Sequence, residues 1–269
     1  MNIQQWVNAW EKKVPLSLQE AWDHSGKQLG RFSHELTGIV YSLDLSEESI
    51  QEAVKNHCNL IFTHHPVFFD PVKSFTEDQP MQDLAIECIE KGFCIYSSHT
   101  CFDTVFGGVN DVLAEMLGLS DLDPLVPSGL MDPLHAYSDG FGKIGTFAER
   151  PAKPLTYHLN KWKKNFHMSS IPVFGPANIL VESAACVGGS GADYIPYAIQ
   201  RGADVFITGD IRYHQAQEAV AQGLTVVDLG HYESEAPALY RAMEWSKQIA
   251  PGITHRIVPL PRDRIRQFF

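Results

Sequence analysis

Two adjacent histidines, His64 and His65, directly follow the apolar run Ile61–Thr63 in the stretch IFTHHPVFFDP. Successive side chains of an extended segment point to opposite faces, so these two imidazoles cannot both be idle surface groups. Either one of them packs in the core, or the chain turns there and both rings bind something. Because imidazole binds zinc and similar divalent ions, the pair is a candidate metal site.

Two histidine–carboxylate pairs elsewhere share this chemistry, His99 with Asp103 and His231 with Glu235, each four residues apart. One turn of helix puts residues i and i+4 on one face, so His231 and Glu235 can bind the same ion. Three histidines and two carboxylates exceed what one catalytic zinc needs and suit two divalent ions about 3.5–4 Å apart. The ions are of the Zn, Mn, Fe, Co or Ni type. The predicted metal ligands are His64, His65, Asp103, His231 and Glu235.

His99 keeps three interpretations: a sixth ligand, a hydrogen-bond partner of a ligand, or a general base. We predict it as the catalytic residue. Asp210 and His214, in TGDIRYH, are also four residues apart at a predicted strand end. Since the ligand set is already complete, we predict that they contact the substrate or hydrogen-bond a ligand. The group AWDHSG (Ala21–Gly26) either ends a helix or lines the site.

Glycines follow a predicted strand and precede a predicted helix in CVGGSGADYIPYAIQ. Backbone amides at such a turn can bind an anion, and a plain tight turn is the alternative. The predicted phosphate-binding residues are Gly188, Gly189, Ser190 and Gly191. A second stretch, GFGKIG, matches a dinucleotide-binding pattern by letter, but Pro151 and Pro154 stand where its helix should open. We therefore predict a closely packed strand there.

The elements that must position these residues form a repeat of helix, strand, helix and strand, first over 53–103 and then over 198–235. In each copy the second strand ends at a histidine with a carboxylate four residues on, so the two histidine–carboxylate pairs are expected to correspond. This alternation predicts an α/β fold with mixed or parallel sheets, whose ligands gather at the carboxyl ends of strands. We predict two duplicated α/β domains, 1–125 with 236–269 and 126–235. The Pro- and Gly-rich stretch DPLVPSGLMDP is the candidate boundary.

Composition narrows the class of protein. Lys and Arg number 21 against 32 Asp and Glu, and this net charge of −11 disfavours nucleic acid as a partner. Five cysteines without C-x-x-C spacing are typical of reduced intracellular thiols. The chain has no signal-peptide pattern and no long apolar run, so we expect a cytoplasmic protein without a membrane segment.

The blocks THHP, SHTCFD, VGGSG, TGDIRYH and GHYESE together resemble the Nif-three-like dinuclear metal proteins, often labelled GTP cyclohydrolase I type 2 homologues. The resemblance covers essentially the whole chain. It implies two intertwined α/β domains with mixed sheets, a two-metal cleft between them, and a toroidal homohexamer. It also implies the same five metal ligands. One departure is His24, where the family usually has Asn.

The resemblance and the ligand set together predict a hydrolase for a small-molecule substrate, in which a metal-bridging hydroxide attacks an electrophile. For a GTP cyclohydrolase the electrophile is C8 of guanine, and for a phosphoesterase it is phosphorus. The alternative is a non-enzymatic protein that binds and delivers metal ions. Ligands alone fit either function.

Overall fold

The computed structural model describes residues 1–131 and 138–258. Helices alternate with short strands, and the described strands form sheets of five, six and two strands, which confirms the predicted α/β class with mixed sheets. The chain divides into two compact units, Met1–Phe102 with Leu239–Phe269, and Asp103–Ala238. The domain bounds 1–125 with 236–269 and 126–235 stay a prediction, and residues 259–269 lie outside the described part.

The α-helices have the following bounds: α1 Ile3–Lys13, α2 Glu47–Lys55, α3 Pro80–Glu90, α4 Thr100–Thr104, α5 Val109–Leu117, α6 Leu155–Asn165, α7 Ile195–Gln200, α8 Tyr213–Ala221, α9 His231–Glu235 and α10 Ala238–Ile249. The strands are β1 Gly26–Leu29, β2 Gly38–Ser42, β3 Leu60–Thr63, β4 Cys94–Ser97, β5 Leu119–Met131, β6 Ser138–Phe147, β7 Lys153–Pro154, β8 Val173–Phe174, β9 Leu180–Val181, β10 Ser183–Cys186, β11 Val205–Thr208, β12 Thr225–Asp228 and β13 Thr254–Ile257.

The first unit is built on the sheet β1-β4-β3-β2-β13, in which all pairs are parallel except β1 with β4. Every residue of β2, β3 and β4 is buried, as expected for parallel strands covered on both faces. Helix α1 buries Ile3, Trp6, Val7 and Trp10, an apolar spacing that fits one helix face. The two tryptophans pack against Phe62 of β3 and hold the strand that leads to the histidine pair.

The second unit is built on the sheet β5-β6-β10-β11-β12-β8, whose central strands β10, β11 and β12 are parallel. GFGKIG lies in β6, which confirms the predicted strand. A Cβ at Gly140 would lie 2.6 Å from the Val126 carbonyl oxygen of β5, so the hairpin needs glycine there. The predicted boundary stretch 123–133 lies mostly in β5, and residues 132 and 133 fall outside the described residues.

The two units repeat one order of elements. The first contains β2-α2-β3-α3-β4 and the start of α4, which crosses the boundary after Phe102, and the second contains β10-α7-β11-α8-β12-α9. The amide of Ser98 donates to the Thr63 carbonyl, and the amide of Leu229 donates equivalently to the Thr208 carbonyl. Two residues separate β4 from α4 and β12 from α9, so His231 corresponds to Thr100 rather than to His99. The expected correspondence of the two histidine–carboxylate pairs is therefore displaced by one residue.

Candidate metal site

His64 and His65 lie at the carboxyl end of β3, where their amides donate to the carbonyls of Ser42 and Leu43. The Nδ1 of His64 lies 2.9 Å from the carbonyl oxygen of Ser98, and the Nδ1 of His65 lies 2.8 Å from Oδ1 of Asp44. A carbonyl or carboxylate oxygen can only accept, so both rings carry their proton on Nδ1. Each Nε2 then presents a lone pair, which is the state that a metal ion requires.

His99 completes a cluster of three imidazoles in the first unit. Its Nδ1 lies 2.9 Å from Oδ1 of Asp23, which places its lone pair on Nε2 as well. The rings of His64, His65 and His99 have centroids 5.0–5.5 Å apart, and one nitrogen of each lies within 4.8 Å of the others. Metal-binding histidines characteristically donate their second ring nitrogen to an oxygen acceptor. The cluster therefore has the donor set and hydrogen bonding of a metal site, and it places His99 beside the two predicted ligands His64 and His65.

The second unit brings His231 and Glu235 together, as their spacing on α9 predicts. His231 Nε2 lies 3.1 Å from Oε2 of Glu235, and only 4% of the Glu235 side chain is exposed. His231 Nδ1 lies 2.8 Å from Oδ2 of Asp210, which again fixes the ring by a carboxylate. Of the two roles predicted for Asp210, a bond to a ligand is the one present in the structure.

Asp103 lies in α4 and is buried, with 6% of its surface exposed. Its backbone carbonyl accepts a bond of 2.9 Å from the side-chain amide of Asn110. The carbonyl oxygen of that same amide accepts from the amide of Gly188, also at 2.9 Å. Asn110 thus ties the backbone of a predicted ligand to the glycine turn.

The glycine turn packs against the carboxylate of Glu235. The amides of Gly188, Gly189 and Gly191 donate to Asn110, Ser234 and Thr208 respectively, so a phosphate would have to displace these bonds. A Cβ on Gly189 would collide with Oε1 of Glu235 and lie 3.2 Å from Nε2 of His231. The observed role of the turn is close packing, and phosphate binding there stays a prediction.

The two remaining predicted substrate residues are exposed. Ser190 projects from the glycine turn, and His214 lies in the first turn of α8 with its ring against Tyr213. The substrate roles of both residues stay predictions.

Two exposed aromatic side chains contact the histidine cluster. Trp22 is 58% exposed and Phe69 is 51% exposed, and their ring centroids lie 5.6 and 5.7 Å from that of His99. Both meet the imidazole edge-to-face. Trp22 belongs to AWDHSG, for which lining of the site was one interpretation. Phe69 was missed, because an exposed aromatic after HHPVF has no distinguishing spacing.

Similarity to known proteins decides the family. The family model described as Duf34/NIF3 (NGG1p interacting factor 3) matches residues 1–260. The chain belongs to this family. A relative from Clostridium perfringens, named GTP cyclohydrolase 1 type 2 homolog, is 32% identical over 92% of each chain. A relative of the same name from a Nostoc species is 35% identical over 78% of each chain.

Solved structures of family members share the fold. A Bacillus cereus protein related to NIF3 superposes with a TM-score of 0.91 at 22% identity, over 100% of this chain and 99% of its own. Reduced HcgD from Methanocaldococcus jannaschii superposes with a TM-score of 0.79 at 27% identity, over 96% of this chain and 97% of its own. Among the residues described here, no helix has the length and apolar character to cross a bilayer.

Proposed function

We propose that this chain is a dinuclear-metal-dependent hydrolase acting on a nucleotide or phosphoester, in the manner of a GTP cyclohydrolase. The observation that carries the proposal is the common hydrogen bonding of the site histidines. In His64, His65, His99 and His231 an oxygen acceptor lies within 2.9 Å of Nδ1. Metal-binding histidines typically have this arrangement, because the hydrogen bond at one ring nitrogen orients the other towards the ion.

The donor set fits borderline divalent ions. Imidazole nitrogen and carboxylate oxygen without thiolate suit Zn, Mn, Fe, Co or Ni, and the five cysteines are all buried. We propose that two such ions are held by His64, His65, Asp103, His231 and Glu235. Bound ions would neutralise developing negative charge and lower the pKa of water. This chain supplies ring orientations set by hydrogen bonds and a buried Glu235 carboxylate packed against the glycine turn.

His99 is proposed to transfer the proton. With its proton held on Nδ1, the lone pair on Nε2 can accept one from the attacking water and return it to the leaving group. The His99 ring lies beside those of His64 and His65, so the proton transfer would take place next to these two proposed ligands.

The substrate of the proposed reaction contains a planar ring. Trp22 and Phe69 expose about half of their surface beside His99, and aromatic faces of this kind stack on nucleobases. The relatives named GTP cyclohydrolase 1 type 2 homolog point to the same class.

A second candidate function, metal binding and delivery without catalysis, has one observation in its favour. The amides of Gly188, Gly189 and Gly191, which were expected to bind a phosphate, already donate hydrogen bonds within the protein. A metal-handling protein needs the ligands and no phosphate site.

The test combines metal content with turnover. Protein purified without chelator is measured for metal per subunit by mass spectrometry and assayed with GTP and simple phosphodiesters. The double variant His64→Ala, Glu235→Ala is compared with His34→Ala, which removes an exposed histidine outside the site. The proposal expects about two ions per subunit and turnover lost in the double variant alone. Two ions without turnover would favour metal handling, and no stoichiometric metal would refute both functions.

We also propose a cytoplasmic homohexamer, on the family resemblance. Light scattering during gel filtration should give six subunits of 30.1 kDa. A monomer or dimer at working concentration would contradict it.

A further inference from the structure

A buried carboxylate lies behind His99, supplied by the stretch AWDHSG. The side chain of Asp23 is fully buried, and both of its oxygens are saturated with donors. Oδ1 accepts from the His24 amide at 2.7 Å and lies 2.9 Å from Nδ1 of His99. Oδ2 accepts from Ser25 Oγ at 2.7 Å, the Thr100 amide at 3.0 Å and Thr100 Oγ1 at 2.6 Å.

These bonds leave the carboxylate no freedom to turn. Two of the donors are backbone amides, one on each oxygen, and with the hydroxyl donors they favour the ionised carboxylate, which can only accept. The ring nitrogen that faces Oδ1 must therefore be the one that carries the proton. In His99 that nitrogen is Nδ1, and Nε2 keeps the lone pair.

Burial distinguishes Asp23 from the two carboxylates that lie at the Nδ1 of other site histidines. Asp44, beside His65, has a side chain 43% exposed, and Asp210, beside His231, has one 57% exposed. Water competes for those two bonds and weakens their hold on the ring. No such competition reaches Asp23.

We propose that Asp23 is a positioning residue, which holds His99 in the Nδ1–H tautomer with Nε2 available to the site. The use of that Nε2 in proton transfer rests on the proposed function. The tautomer and the orientation rest on geometry alone. In a serine-protease triad, replacing the equivalent carboxylate gives the wrong histidine tautomer and lowers kcat about 10⁴-fold.

The test reads the tautomer directly in metal-free protein. Long-range ¹H–¹⁵N spectra of histidine-labelled chain are recorded at about pH 9, where an ordinary imidazole is neutral. The His99 signals are assigned by their loss in His99→Gln. The wild type should show His99 protonated on Nδ1. Asp23→Ala should shift His99 towards the Nε2–H form, whereas the matched variant Thr100→Ala, which removes one bond to Asp23 and none to His99, should leave the tautomer unchanged.

Two results would overturn the proposal: an Nε2–H tautomer of His99 in the wild type, or the Nδ1–H tautomer persisting in Asp23→Ala. If Asp23→Ala fails to fold, judged by circular dichroism, the wild-type spectrum still decides. Since neither metal nor substrate enters the measurement, a failed hydrolase assay would leave this result standing. Where turnover exists, Asp23→Ala should lower kcat with little change in KM, and Thr100→Ala should not.

Discussion

Gly189→Ala should disturb the proposed metal site through a single added methyl group. The new Cβ would collide with Oε1 of Glu235 and lie 3.2 Å from Nε2 of His231, so one of these groups must move. Overpacking of this kind costs about 1–3 kcal/mol. Because Gly189 has a φ of +66°, alanine also pays roughly 1–2 kcal/mol for the left-handed backbone.

A matched control separates the two costs. Gly202 has a φ of +69°, and its added Cβ would meet nothing within 4 Å. Gly202→Ala therefore carries the backbone cost alone. We expect both variants to lower the free energy of unfolding, and Gly189→Ala to lower it further.

Metal affinity is the deciding assay. Competition with a zinc-binding dye should show about 10–100-fold weaker binding for Gly189→Ala, as for other changes that displace a ligand indirectly. Gly202→Ala should bind as the wild type does. Equal affinity and equal stability in the two variants would refute the role given to the glycine turn.

Three further predictions follow from buried and exposed groups. Trp22→Ala and Phe69→Ala should each raise KM for a nucleotide at least about fivefold, because stacking on a base is worth about 1–3 kcal/mol. The control Tyr240→Ala, which removes another exposed aromatic side chain, should leave KM unchanged. Lys143→Met should lower the free energy of unfolding by about 3–5 kcal/mol, because it leaves the buried carboxylate of Asp111, 2.9 Å away, without its charged partner. The double variant Lys143→Met, Asp111→Leu should recover stability, and a single variant as stable as the wild type would contradict this. Burial lowers the pKa of His158, so its contribution to stability should be complete above about pH 6.5 and lost as the pH falls below that value. The melting temperature of His158→Leu should therefore depend less steeply on pH than that of the wild type, and an unchanged slope would contradict this.

Much of the fold was predictable because local patterns are strong. The short β-branched strands β3, β11 and β12 and the helices between them follow from apolar runs bounded by turn residues. The contact of His231 with Glu235 follows from helix periodicity alone. The histidine pair was identifiable because two imidazoles at a strand end are unusual.

The partners of the histidines were not predictable by spacing. Asp44 precedes His65 by 21 residues, and Asp23 precedes His99 by 76, so only the sheet brings each pair together. The expected correspondence of His99 with His231 was off by one residue. The turns after β4 and β12 both have two residues, and His99 lies in the first turn whereas His231 begins α9 after the second. The glycine turn was interpreted as an anion site, because a sequence does not show which side chains accept hydrogen bonds from its backbone amides.

The proposed dinuclear centre is tested most directly by anomalous X-ray diffraction from crystals of the metal-reconstituted protein. We predict two anomalous peaks per chain, about 3.5–4 Å apart, bound by His64, His65, Asp103, His231 and Glu235. A single peak, or peaks bound by other residues, would contradict it.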